Sequence, residues 1–200
     1  VDAFRFFMTR EISFGEDGDL TRERFSEVYE GSLAHGIGNL VSRTAAMITK
    51  YNNGALSRPT VEALAQVPTR RAMKQEASDS RILLEGENLE RYFNIEVVEE
   101  YQKAMSELRL TDAITLLMNF FSLLDGYVQD YEPYRLVKTD PKKTTAVLWN
   151  LAAHIVRNSK LLEPFMPETS RLICEIFGSQ DGIGDIVVKD HKALFPSKKV

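Results

Sequence analysis

Residues from Phe25 to Tyr51 repeat an apolar position every three or four places, and this pattern most constrains how the chain can fold. The stripe comprises Phe25, Val28, Tyr29, Leu33, Ile37, Leu40, Val41, Thr44, Ile48 and Tyr51. Such spacing is typical of one face of an amphipathic helix. Thr21 is suited to cap its start, and Asn52-Asn53-Gly54 to end it. A helix of this length must bury its apolar face against other elements, so the pattern predicts a helical bundle.

The rest of the chain shows similar patterns, and none of it reads as a sheet. Helices are predicted for residues 1–10, 90–108, 111–131, 141–162 and 168–177. Thr111 is expected to cap the third of these, whose apolar residues cover almost its whole circumference and place it at the centre of the bundle. Pro133 is expected to stop that helix and Asp140 to cap the next. The prediction is an all-α bundle of about six helices over residues 21–178, preceded by a short segment 1–20 and followed by an irregular tail 179–200.

Composition excludes several classes of protein. The single cysteine, Cys174, allows no internal disulfide. The sequence shows neither a signal peptide nor a run of apolar residues long enough to span a membrane. These features together predict a cytoplasmic protein without membrane association. The net charge of -4 argues mildly against non-specific nucleic-acid binding. No metal-ligand spacing and no phosphate-binding loop occurs, so no metal is expected. Because the sequence opens in the middle of a helical pattern and without methionine, we expect a fragment of a longer protein.

Asn39 and Arg43 are the first candidate site. They stand four residues apart on the helix face opposite the apolar stripe. Gly36 and Gly38 lie just before them, although each glycine costs about 1 kcal/mol relative to alanine inside a helix. One interpretation is that they leave room for another backbone or a flat ligand; the other is that they permit tight helix packing and that Asn39 and Arg43 are ordinary solvated side chains.

Pro133 and Tyr134 are the second candidate site. A tyrosine fixed beside a proline at a helix end can act as a stacking platform for a base. The alternative is an aromatic side chain that covers the edge of the core.

Four segments of the chain together resemble methionyl-tRNA synthetase. They are DAFRFFMTREISFGEDGDL, GNLVSRTAAMI, YEPYRL and LLEPFMPETS, in this order and separation. The resemblance covers nearly the whole chain and concerns the C-terminal helical part of that enzyme. It implies that residues 1–20 are the end of a connector that follows a catalytic domain, and that residues 21–178 form the anticodon-binding bundle.

The resemblance also implies roles for the candidate residues. Asn39 and Arg43 match the pair that reads the first anticodon base, a cytosine, and Pro133 and Tyr134 match a Pro-Trp pair whose ring stacks in the anticodon site. Here tyrosine replaces the tryptophan. The expected partners are tRNA(Met), with anticodon CAU, and the chain's own N-terminal catalytic domain.

The family's reaction uses ATP to attach methionine to tRNA, and its two ATP-handling signatures do not occur in these 200 residues. We therefore expect no cofactor in this chain and no activity from it alone, with ATP and methionine bound by the catalytic domain. Two alternatives stay open: the related bundle of a valine, isoleucine, leucine or cysteine enzyme, and an all-α module that docks a protein partner.

Overall fold

The computed structural model describes residues 1–12, 20–67 and 89–196. Within these ranges the chain is an all-α bundle, as predicted, and it also contains two very short strands that were not predicted. The elements are α1 (Asp2–Glu11), α2 (22–52), β1 (Ala55–Leu56), α3 (Val61–Ala65), α4 (89–106), α5 (Leu110–Tyr131), α6 (Pro133–Leu136), α7 (Pro141–Leu161), α8 (Pro167–Ile176) and β2 (Ile186–Val187). Residues 13–19, which belong to the predicted segment 1–20, lie outside the described residues.

Helix α2 follows the apolar stripe but is not α-helical throughout. Its middle third, Tyr29–Gly38, is a π-helix, with α-helical segments on either side. The Thr21 side chain accepts a hydrogen bond from the backbone N–H of Arg24, which confirms the predicted cap. The helix ends where expected, because Asn53 takes a left-handed conformation with φ of 52°.

The centre of the bundle is α7, not α5 as the sequence predicted. Helix α7 is buried on nearly every side. Helix α5 instead exposes a stripe of polar residues, which comprises Asp112, Thr115, Asn119 and Ser122. The misassignment arose because α7 buries polar side chains. Asn158 donates to the Leu117 carbonyl at 2.9 Å and Asn150 donates to the Tyr127 hydroxyl at 3.2 Å, so both amides are hydrogen-bonded inside the core.

Thr111 does not cap α5, which begins at Leu110 with Arg109 before it and no side-chain cap. The Thr111 hydroxyl donates instead to the Thr9 carbonyl of α1 at 2.9 Å. A threonine in the first turn thus ties two helices together. The stop predicted at Pro133 and the cap predicted at Asp140 are both present, since α5 ends at Tyr131 and the Asp140 carboxylate accepts from the Lys143 N–H.

The tail after α8 is more ordered than expected. Strand β2 pairs antiparallel with β1, with Leu56 opposite Ile186, and both side chains are buried. The Trp149 indole donates to the Gly184 carbonyl at 3.0 Å, so α7 also holds the tail. These long-range contacts fasten the tail to the bundle.

A charged cluster fastens the start of α4 to α7. The Glu90 carboxylate forms an ion pair with Arg157 and lies 3.4 Å from Nε2 of the buried His154. The other ring nitrogen of His154 contacts the Asn150 carbonyl at 2.8 Å. The contact with His154 is the largest cause that lowers the pKa of Glu90, to about 2, so the carboxylate is charged at neutral pH.

Candidate nucleic-acid interface

Arg43 projects from α2 toward α5. Its guanidinium Nη2 lies 3.5 Å from Oδ1 of Asp125, and both side chains are a little over one-third exposed. Asn39, one turn earlier, is exposed. An ion pair of this length and exposure is worth about 0–1 kcal/mol. Arg43 is therefore positioned by Asp125 but remains free to bind another acceptor.

The two glycines just before Asn39 have different surroundings. A Cβ on Gly38 would lie 3.0 Å from the Leu33 carbonyl and 3.5 Å from the Phe195 ring, so Gly38 permits close packing. A Cβ on Gly36 would meet only the Gly31 carbonyl, at 3.4 Å. The packing interpretation thus holds for Gly38, whereas Gly36 has no crowded neighbour.

Tyr134 is held at the junction of α5 and α6. Glu132 adopts a left-handed conformation with φ of 42°, and the buried Pro133 opens α6. The chain therefore turns sharply, and Tyr134 stays 49% exposed. Pro133 fixes the turn from inside the fold, and Tyr134 presents its ring outside.

Two charged neighbours orient the Tyr134 ring. Its hydroxyl donates to Glu132 at 2.6 Å, and the Arg135 guanidinium carbon lies 5.7 Å from the ring centre. The hydrogen bond to Glu132 is the largest cause that raises the pKa of the Tyr134 phenol, while the positive charge of Arg43 acts in the opposite direction. Arg43 contacts Asp125 in the last two turns of α5, and Tyr134 follows the end of that helix, so both side chains lie at the same end of α5 although they are far apart in the sequence.

The structure thus places Arg43, Pro133 and Tyr134 at the same end of α5, with Asn39 one turn before Arg43 on α2. It adds two residues that sequence reasoning missed. Asp125 and Glu132 position Arg43 and Tyr134. Asp125 left a signal in the sequence, because it is the only charged residue between Ala113 and Val128. A lone carboxylate in an apolar helix usually has a partner. Glu132 gives no such signal in the sequence apart from its position before a proline.

The described residues contain neither a metal-binding cluster nor a membrane-spanning helix. Among residues 1–12, 20–67 and 89–196, no group of three or more His, Cys, Asp and Glu side chains could hold a metal ion. No helix in the same ranges is long and apolar enough to span a bilayer.

The fold and its exposed Asn-Arg-Tyr surface define a helical bundle of the kind that can contact single-stranded RNA. The family model for the anticodon binding domain of methionyl tRNA ligase matches residues 84–194. The chain therefore belongs to the family of anticodon-binding domains of methionyl-tRNA ligases.

Individual relatives agree with this assignment. The methionine–tRNA ligase of Streptomyces coelicolor is 29% identical over 188 residues, which are 92% of this chain and 31% of that protein. The enzyme of Caldanaerobacter subterraneus is 32% identical over 180 residues, which are 89% of this chain and 25% of that protein. The chain thus spans about a quarter to a third of the length of these relatives.

A solved structure shares the fold. The free form of Mycobacterium tuberculosis methionyl-tRNA synthetase superposes on the whole of this chain with a TM-score of 0.79, at 18% identity and over 39% of its own length. The alternative of a protein-docking module finds no support among these matches.

Proposed function

We propose that this chain reads the anticodon CAU of tRNA(Met) as the C-terminal part of a methionine–tRNA ligase. The observation that carries the proposal is that Arg43 and Tyr134 lie at the same end of α5, Arg43 through its contact with Asp125 and Tyr134 because it follows the end of that helix. A hydrogen-bond donor and an exposed ring are thus brought to one end of the bundle from two different helices. A flexible loop base needs both kinds of contact to be held and identified.

The chemistry suits an unpaired cytosine. Its Watson–Crick edge offers an amino donor and two acceptors. Arg43 donates to the acceptors, and the Asn39 amide oxygen accepts from the amino group. Uracil has a carbonyl in place of that amino group and would face the Asn39 oxygen with another acceptor. Each well-made pair of contacts discriminates by about 1–3 kcal/mol.

Tyr134 supplies stacking rather than identity. Every base has a flat face, so a stacked base gains affinity on the Tyr134 ring with little regard to sequence. Glu132 and Arg135 hold the phenol in one orientation, which reduces the entropy lost when a base binds. The low cost of separating Arg43 from Asp125 likewise leaves most of the arginine's binding energy for RNA.

The remaining parts of the proposal concern the whole enzyme. ATP and methionine would bind a separate catalytic domain on the N-terminal side, and the ligase would act in the cytoplasm. This chain would then contribute tRNA recognition and no chemical step.

Three variants test the proposal by filter binding to a CAU transcript at one fixed salt concentration, because phosphate contacts depend strongly on salt. Arg43→Ala and Tyr134→Ala should each weaken binding by about 1–3 kcal/mol. Arg171→Ala, on α8, removes an arginine that is more exposed than Arg43 and should change affinity much less. Equal losses for Arg43→Ala and Arg171→Ala would mean that only general charge matters, and the proposal would fail.

A further inference from the structure

The segment that follows β2 lies along α2. We call residues 188–196 the strap; they lack regular secondary structure and run from the end of α2 back to its first third. At one end of the strap, the Val188 N–H donates to the Gly54 carbonyl at 2.8 Å, next to the paired strands. At the other end, the Pro196 carbonyl accepts from the Tyr29 hydroxyl at 3.1 Å. The strap is therefore attached to the same helix at two distant points.

Phe195 contacts both ends of the π-helical segment of α2, which begins at Tyr29 and ends at Gly38. Its ring packs edge-on against the Tyr29 ring, with 6.1 Å between the ring centres and an interplanar angle of 88°. A Cβ on Gly38 would lie 3.5 Å from the Phe195 ring, so glycine lets the strap approach the helix backbone closely. One side chain of the strap thus joins the first and the last residue of the π segment.

This bridge fits a π-helix and would not fit an α-helix. Tyr29 and Gly38 are nine residues apart, which is about two and a half turns of an α-helix, so in that form they would lie on opposite sides. In the wider π turn they lie on the same side, where Phe195 contacts both. Most π-helices are single turns, so one of ten residues needs stabilising contacts from outside the helix. The strap provides such contacts.

The ring contacts of the strap continue into the core. Tyr29 stacks on Phe25 with 6.4 Å between ring centres, and Phe25 lies 5.5 Å from the ring of the buried Phe7 in α1. Aromatic pairs of this kind add stability beyond the burial of their surface. Phe195 is therefore the outermost member of a row of rings that begins in the core, and its position is well defined.

The form of the π segment determines how Asn39 is held. Asn39 is the first residue after the segment, and its backbone N–H donates to the Ala34 carbonyl, five residues earlier, which is a π-helical hydrogen bond. A return of the segment to α-helix would break this bond and rotate Asn39 relative to Tyr29. A side chain that discriminates by hydrogen bonding must be held within about 0.5 Å and 10–20° of its productive geometry. Contacts that hold the π form thus also hold Asn39.

We propose that the strap is a positioning element for anticodon reading and that Phe195 is its positioning residue. By joining both ends of the π segment, Phe195 keeps α2 in the form that directs Asn39 toward the first anticodon base. The strap acts through the helix and not by contact with RNA. The inference rests on the proposed function and adds to it a residue more than 150 positions away from Asn39 in the sequence.

The first test compares CAU and UAU transcripts bound to the 200-residue chain at one fixed salt concentration. The parent should prefer CAU by about fivefold or more, and Phe195→Ala should reduce that preference to about twofold or less. Phe195→Tyr keeps the ring and should retain the parental preference. Leu194→Ala is the matched control, because Leu194 is a half-buried neighbour in the same strap that lines a groove with Leu172 and Ile176 of α8. It should also retain the preference.

The second test measures hydrogen exchange of the backbone amides without RNA. The amides of residues 34–39 should exchange about tenfold faster in Phe195→Ala than in the parent, because the lost ring contact no longer holds the π segment closed. Phe195→Tyr and Leu194→Ala should exchange there at nearly the parental rate. Parental exchange in the buried helix α7 serves as the control that the bundle stays folded.

The outcomes separate the two proposals. If the parent prefers CAU to UAU and Phe195→Ala keeps that preference, the positioning role is wrong and the proposed function stands. Unchanged exchange in Phe195→Ala, or an equal loss of preference in Leu194→Ala, would also overturn the positioning role, because Phe195 would then not hold the π segment. If the parent does not prefer CAU, the proposed function itself fails and the positioning role fails with it.

Discussion

Phe120 and Phe121 are neighbours in α5, and both are almost completely buried, yet alanine should cost more at Phe120. A buried phenylalanine replaced by alanine usually costs about 3–5 kcal/mol. The Phe120 ring lies 4.9 Å from the Phe93 ring and near those of Tyr92 and His154, and aromatic pairs add about 0.5–1.5 kcal/mol beyond burial. Phe121 borders a pocket of about 320 Å³ between α2 and α5, so part of the space left by removing its ring is already open. We expect about 4–5 kcal/mol at Phe120 and about 3 kcal/mol at Phe121.

Urea denaturation followed by circular dichroism measures both losses of unfolding free energy, provided that the variants and the parent share the same dependence of unfolding free energy on urea concentration. Phe4→Ala is the control, because Phe4 is 48% exposed and should cost about 1 kcal/mol or less. An equal or larger loss at Phe121 would contradict the reasoning, since it would mean that no pocket borders that ring.

Two further predictions concern the contacts that fasten α4 and the tail. The contact with His154 is the largest cause that keeps the pKa of Glu90 near 2 in the folded chain, against an ordinary 4.5. The stabilising effect of the charged carboxylate is therefore complete above about pH 4.5 and is lost as pH falls toward 2. The difference in unfolding free energy between the parent and Glu90→Gln should accordingly shrink over that range in urea titrations, and a difference independent of pH would refute the prediction. Gly182 has a φ of 68°, and a Cβ there would lie 2.4 Å from the Ala153 carbonyl, so Gly182→Ala should cost about 1–3 kcal/mol of unfolding free energy or more in the same assay. Gly184→Ala is the control and should cost under about 0.5 kcal/mol, because a Cβ on Gly184 would meet nothing within 4 Å. Similar costs for the two variants would show that the tail does not pack on α7.

Local signals were sufficient for most helix boundaries. Thr21 and Asp140 cap helices because a short polar side chain reaches the free N–H groups of the first turn. Pro133 stops α5 because the residue before a proline avoids the helical region. These effects depend on a few consecutive residues and can be read directly from the sequence.

Non-local features could not be read in this way. The pairing of Leu56 with Ile186 joins segments far apart in the chain and is set by packing. The π-helical part of α2 was hidden because an apolar pattern with steps of three and four tolerates one wider turn. Thr111 looked like a cap, since the sequence does not show that the Thr9 carbonyl competes for its hydroxyl.

The candidate site divides in the same way. The helical spacing alone put Asn39 and Arg43 on one face, but the placement of Arg43 at the end of α5 that Tyr134 follows requires the packing of α2 against α5. The assignment of these residues to an anticodon came from resemblance to a family and not from spacing. Their roles toward RNA stay predictions.

The most direct test of the central claim is a double-mutant cycle between Arg43→Ala and a change of the first anticodon base from cytosine to uracil. Four affinities, measured by filter binding at one salt concentration, give the coupling free energy between the side chain and the base. If Arg43 reads the cytosine, the coupling should be about 1–3 kcal/mol. The same cycle with Arg171→Ala should give a value near zero. A coupling near zero for Arg43 as well would contradict the account, because Arg43 would then contribute charge but no recognition.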